Sequence, residues 1–205
     1  MEEKNISGQE SLEIIRQMIQ TAKNEQKDNG IGWIVWGWLL FMASTFTLIN
    51  AYTNWMNTFF FWNVFGCITL VLLLYETWIA LSGKSKAPVK TYTNELFRKL
   101  NTGFFISLML IIFSMNLGVP PTRGFALLLG LYGFWIIIYG AVLNFKPSII
   151  GAYITWGFAF GSLFVYDFRV TMLLHALAVL FGYIIPGHIA YKEFNKVEEV
   201  EKSSV

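Results

Sequence analysis

The sequence predicts an all-α polytopic membrane protein, a bundle of six transmembrane helices preceded by a cytoplasmic amphipathic helix. Three observations predict it. Of 205 residues, 55% are hydrophobic and only 14% charged, against roughly 25% charged in soluble domains. The apolar residues fall into six blocks, each at or near the roughly 20 residues that cross about 30 Å of hydrocarbon. The Lys and Arg residues fall almost entirely on one side of those blocks.

Residues 1–31 are polar and form the N-terminal segment. They lack the basic start, apolar core and small-residue cleavage site of a secretory signal, which predicts that the N-terminus is retained. Within them Leu12, Ile14, Ile15, Met18, Ile19 and Ala22 share one arc of a helix, while Glu13, Arg16, Gln17, Gln20, Thr21, Lys23 and Asn24 fill the other. Ser7 and Glu10 have the spacing of a capping box at its start. Such a helix lies in the headgroup layer, packs on its own bundle, or docks on a protein partner or second copy through residues 12–24.

The transmembrane domain, residues 32–191, comprises Gly32–Tyr52, Phe59–Ser82, Leu96–Gly118, Gly124–Asn144, Ser148–Tyr166 and Val170–Tyr191. Runs this continuous favour helices over the alternating strands of a membrane barrel. The third block is the least clean. Its apolar run is short, and Leu96, Phe97, Leu100 and Phe104 form a helical stripe that starts it in the interface, with Pro120 and Pro121 stopping it beyond. The short later connections make successive helices antiparallel neighbours. Residues 192–205 form a polar tail.

With six spans, thirteen of the fifteen Lys and Arg lie on one side, and Arg123 and Arg169 lie on the other. The positive-inside rule then places both termini in the cytoplasm. The net charge of +2 is too balanced to indicate a nucleic-acid partner; the partner implied is the lipid bilayer. An internal echo joins Trp36-Gly37-Trp38 in span one to Trp156-Gly157-Phe158 in span five. It suggests repeated hairpins; common membrane-helix composition is the preferred explanation.

Ionisable residues inside spans carry the functional hypothesis, because burying charge in lipid is costly. They are Glu76, His188 and His175. Glu76 and His188 sit about 9 Å and about 6 Å from the cytoplasmic edge of spans two and six, a depth at which they can pair as a proton-responsive site or simply snorkel. Pro186 and Gly187 loosen the helix just before His188. His175, with Ser162 and Asp167 nearby across the outer turn, presents the residue types of nucleophilic catalysis. There is no Gly-x-Ser-x-Gly elbow, and a bond to a nearby carbonyl or hydroxyl is the preferred role. Gly157 and Gly161 form a small-x-x-x-small pair suited to close helix packing, as are Trp36 and Gly37 at the entry of span one.

No dinucleotide turn, P-loop or His-Glu-x-x-His occurs. Cys67 is the only cysteine, which excludes an intramolecular disulfide and a Cys-rich metal site. No cofactor or metal is implied and no catalytic residue is assigned. The preferred function is therefore a non-enzymatic accessory or regulatory membrane protein. The alternative is a small transporter or channel with a polar path through Asn50, Asn63, Ser107, Ser114, Asn116 and Glu76.

The Ser11-Leu12-Glu13-Ile14-Ile15 start, the Ala22-Lys23 step, the Trp36-Gly37-Trp38 entry and the Pro186-Gly187-His188 exit give an overall pattern that resembles an uncharacterised family of bacterial six-helix integral membrane proteins. The resemblance implies an inner-membrane location and transfers no functional residue. Arg123-Gly124, Gly130, Gly133, Gly140 and Pro147 give a narrower likeness, over spans four and five, to acid-resistance membrane proteins.

Overall fold

The computed structural model describes residues 30–82 and 92–203. The amphipathic segment 12–24, the Ser7–Glu10 pair and most of the second loop lie outside the described residues. Those described are helical, with no strand among them. The helices are α1 (Ile31–Thr53), α2 (Phe60–Leu81), α3 (Tyr92–Asn116), α4 (Pro121–Val142), α5 (Lys146–Leu163) and α6 (Phe168–Val179). α6 continues through a π turn, Leu180–Ile184, into α7 (Ile185–Ser203). Residues 192–203 of the tail are thus a direct extension of the last helix.

Among the described residues, four stretches are long and apolar enough to cross a membrane: Ile31–Thr53, Glu95–Asn116, Pro121–Val142 and Phe168–Lys196. The other two helices of the six expected spans are less suited. In α2 the apolar stretch Phe60–Leu72 is shorter, and α5 has 18 residues that open with Lys146, Pro147 and Ser148.

The ends follow from local chemistry. Gly30 (φ 68°) precedes α1, and Asn54 (φ 50°) ends it in the left-handed region, which Gly and Asn enter most readily. Pro121 occupies the first turn of α4, where its missing N–H costs nothing. Asp167 caps α6, its Oδ1 accepting from the Arg169 N–H at 2.9 Å. Asn50, 4% exposed, closes the α1–α2 turn. Its Oδ1 accepts from Met56 N at 2.8 Å, and its Nδ2 donates to Met56 O at 3.0 Å and Asn57 O at 3.3 Å. Asn50 is therefore a structural clasp. Asn50→Leu strands those backbone groups, and thermal unfolding in detergent should show a loss of about 1–3 kcal/mol; an unchanged midpoint would refute the clasp.

Contacts fix the directions. Along α1, Gly37, Ser44 and Tyr52 meet Ile184, His175 and Arg169 in turn, so α1 runs antiparallel to the last helix. α4 and α5 form the most extensive pairing. There Trp156 Nε1 donates to Gly130 O at 3.0 Å, with the indole lying across Gly133 where any Cβ would intrude. α3 packs Phe97 and Phe104 on Trp135, Tyr139 and Tyr132 of α4. One end of the bundle gathers Tyr52 with Arg169 and Tyr166 with Arg123, each guanidinium about 5 Å from its ring centre.

α1 shows which way the protein faces its solvent. Its buried stripe is Trp33, Gly37, Leu40, Ser44, Thr47 and Asn50. Its exposed stripe is Ile31, Val35, Trp38, Met42, Phe46 and Ile49. Both repeat every three or four residues, as a helix face must. The inner stripe mixes small and polar residues with Trp33 and Leu40, whereas the outer stripe is apolar throughout. In water this arrangement is unfavourable, whereas in lipid the apolar face needs no cover and small residues let helices approach.

Candidate functional site

The most deeply buried titratable side chain among the described residues is His175, with no exposed surface. It stands on α6 where that helix crosses α1. Its Nδ1 lies 2.8 Å from Ser44 Oγ, and Ser44 is equally buried. The Ser44 hydroxyl also lies 2.8 Å from Leu40 O. A hydroxyl has a single proton. Given to the Leu40 carbonyl, it leaves Ser44 Oγ to accept from the His175 Nδ1–H, and the hydrogen-bond network thus assigns the tautomer.

That assignment makes Nε2 an acceptor, and it has no partner among the described residues. Three aromatic rings wall the imidazole. Trp62 stands 5.2 Å away at 88°, Phe125 5.6 Å away at 87°, and Tyr132 5.8 Å away at 76°. Trp62 Nε1 is likewise buried without a hydrogen-bond partner among the described residues. The site therefore pairs an unused acceptor and an unused donor on perpendicular neighbouring rings, inside an apolar shell. Such a cluster is a polar clip that sets the register of α1 against α6, since slippage by one residue would leave the buried His175 Nδ1–H without its acceptor.

Among the described residues, no hydrogen bond joins Ser162, His175 and Asp167. The Ser44 proton is committed to its own helix, and Ser162 Oγ is buried without a hydrogen-bond partner among the described residues. Asp167 is spent on capping α6, with Arg169 Nε 3.6 Å from its carboxylate.

The other residues singled out from the sequence are scattered. His188 on α7 is exposed, with Nδ1 2.8 Å from Ile184 O. Glu76 lies on α2, and its side chain falls outside the described residues. Gly37 packs tightly, since a Cβ there would stand 2.9 Å from Ile184 Cγ1 and 3.1 Å from Tyr183 Cβ. Trp36 meets Phe65 edge-on at 6.4 Å. Gly157 and Gly161 are a correction. Both are exposed, and a Cβ on either would meet nothing within 4 Å. The face of α5 that packs inward carries Ser148, Gly151, Ala152, Thr155 and Ala159 instead. The Trp36-Gly37 and Trp156-Gly157 echo consequently joins two unlike environments.

Sequence reasoning missed Ser44, Trp62 and the Gly151–Gly182 contact. Ser44 had a signal: it continues the four-then-three spacing of Trp33, Gly37 and Leu40. Trp62 had none, because the facing of α2 depends on which helix it meets. Among the described residues, no three His, Cys, Asp or Glu side chains cluster as a metal site would require. No family model, curated protein or solved structure matches the chain.

Proposed function

We propose that the chain is a six-span integral protein of a bacterial inner (cytoplasmic) membrane, with both termini cytoplasmic. We further propose that it serves as an accessory or regulatory component, acting through contacts and not by catalysis. The observation that carries this is the outward apolar stripe of α1 set against its inward Ser44, Thr47 and Asn50. The bacterial setting rests on the family resemblance, and the orientation on the one-sided Lys and Arg.

The contact role is supported by how the polar side chains are used. Thr47, Thr155 and Thr171 donate to Ala43 O, Gly151 O and Asp167 O. On α3, Ser107, Ser114 and Asn116 donate to Gly103 O, Ile111 O and Ile112 O. A solute pathway needs such groups turned toward a lumen; here they return to their own helices. Surfaces suited to a partner are the one-sided arc of residues 12–24 and the Lys-rich second loop.

Purification in mild detergent should recover a protein companion in stoichiometric amount, and Ile15→Asp, which breaks the arc, should release it. Solute or ion flux through vesicles holding only the purified chain, above protein-free vesicles, would overturn the contact role in favour of transport.

Orientation has its own test. In a Cys67→Ser background, a cysteine at Asn54 should react with an impermeant reagent in intact cells, and one at Ser85 only after lysis. The reverse pattern would invert the topology.

A further inference from the structure

A shallow groove opens on the outer surface between α1 and α7, lined by Trp38, Ile184, Ile185, His188, Ile189 and Lys192. Its walls are almost entirely apolar. Its two polar members lie together at one end, where α7 passes the start of α1 at Gly30. We infer that this groove binds an anionic phospholipid, with an acyl chain along the Trp38–Ile185–Ile189 wall, the headgroup phosphate at Lys192 and a headgroup hydroxyl at His188. The inference rests on the membrane reading above.

Four features point to that occupant. His188, Lys192 and Lys196 recur every four residues and so share one face of α7, running from the groove toward the tail. Lys192 has no ion-pair partner among the described residues, and His188 gives its Nδ1–H to the Ile184 carbonyl, which leaves Nε2 as an acceptor for a headgroup hydroxyl. From Lys192 to Ile185 the helix rises about 10 Å, so a phosphate at the lysine lets its chain descend past the isoleucines. The groove also lies at the Lys-rich end of the bundle, the side whose leaflet is anionic and where basic clefts between helices take acidic headgroups. A zwitterionic lipid fits the apolar wall equally well but brings a choline or ethanolamine cation against Lys192.

The full chain, extracted from membranes, would be placed in nanodiscs of equal parts phosphatidylglycerol and phosphatidylcholine. The lipid retained after detergent washing would then be identified by mass spectrometry. The parent should retain phosphatidylglycerol by about fivefold over phosphatidylcholine, the preference one lysine near the surface confers. Lys192→Glu should abolish that preference. Ile185→Trp, which fills the groove without altering charge, should lower the retained lipid of both kinds. Lys146→Glu, at the same end on α5, should leave the ratio as in the parent.

Equal retention of the two lipids by the parent, or an unchanged ratio in Lys192→Glu, overturns the site. So does an equal loss in Lys146→Glu, which would make the effect one of general surface charge. A change in particle mass on Ile185→Trp, with lipid unchanged, would assign the groove to a second copy and also overturn it. Recovery of the chain only in the soluble fraction would instead sink the membrane reading, so the two failures are separable.

Discussion

Gly182→Val is expected to be among the most destabilising single substitutions in the bundle, at about 3 kcal/mol. Gly182 lies in the π turn, where the last helix touches α5. A Cβ there would drive into Thr155 Oγ1 and stand 3.2 Å from Ile136 Cδ1. Neither neighbour can yield easily. Ile136 has no exposed surface and Thr155 is 1% exposed, and the Thr155 hydroxyl is held by Gly151 O at 2.8 Å. Gly151 faces the same contact, its own Cβ position lying 3.2 Å from Gly182 Cα, so the two backbones are already at their closest. The π turn adds to the constraint. Pro186 offers no N–H to the Gly182 carbonyl four residues back, and the wide turn falls directly before it. Gly157→Ala is the matched control. It meets open space on an exposed helix face and should stabilise by a few tenths of a kcal/mol to about 1 kcal/mol. Thermal unfolding in a single detergent checks both. A Gly182→Val midpoint equal to the parent would show that the helices separate there at no cost.

The second large effect belongs to Ser44 and His175. Ser44→Ala removes the oxygen that His175 Nδ1 bonds and leaves a buried imidazole with neither nitrogen satisfied. An orphaned buried polar group costs about 1–3 kcal/mol. His175→Leu orphans little, because Ser44 keeps its bond to Leu40 O, and it replaces a polar ring by an apolar side chain among Trp62, Phe125 and Tyr132. The double variant should therefore be more stable than Ser44→Ala alone. A cycle over the four proteins should return a coupling of about 0.6–1.7 kcal/mol, between the mean and the largest values measured for hydrogen bonds between membrane helices. Strict additivity would mean that the two side chains do not interact. Should His175→Leu prove the costliest of the three, the imidazole is worth more to the core than its one hydrogen bond.

The sequence by itself determined the helical class, because runs of roughly 20 apolar residues have few alternatives to helix in lipid. It also placed the break between the third and fourth helices at Pro120 and Pro121, since proline acts on its own neighbours within a turn. Facing was legible only in part. The α1 stripe of Trp33, Gly37, Leu40, Ser44 and Thr47 has the right period, yet hydrophobicity cannot mark the inner face when the outer face is apolar too. For the same reason Gly157 and Gly161 read as a packing seam although they point away from the bundle. A glycine favours close approach without choosing the neighbour. Only the tertiary structure decided that Gly151 meets Gly182, that Trp156 crosses Gly133, and that Ser44, Trp62 and His175, residues from three helices, converge on one buried site. Those contacts join positions on different helices, 131 residues apart in the case of Ser44 and His175. They depend on helix rotation and register, which packing against neighbours fixes and local sequence does not.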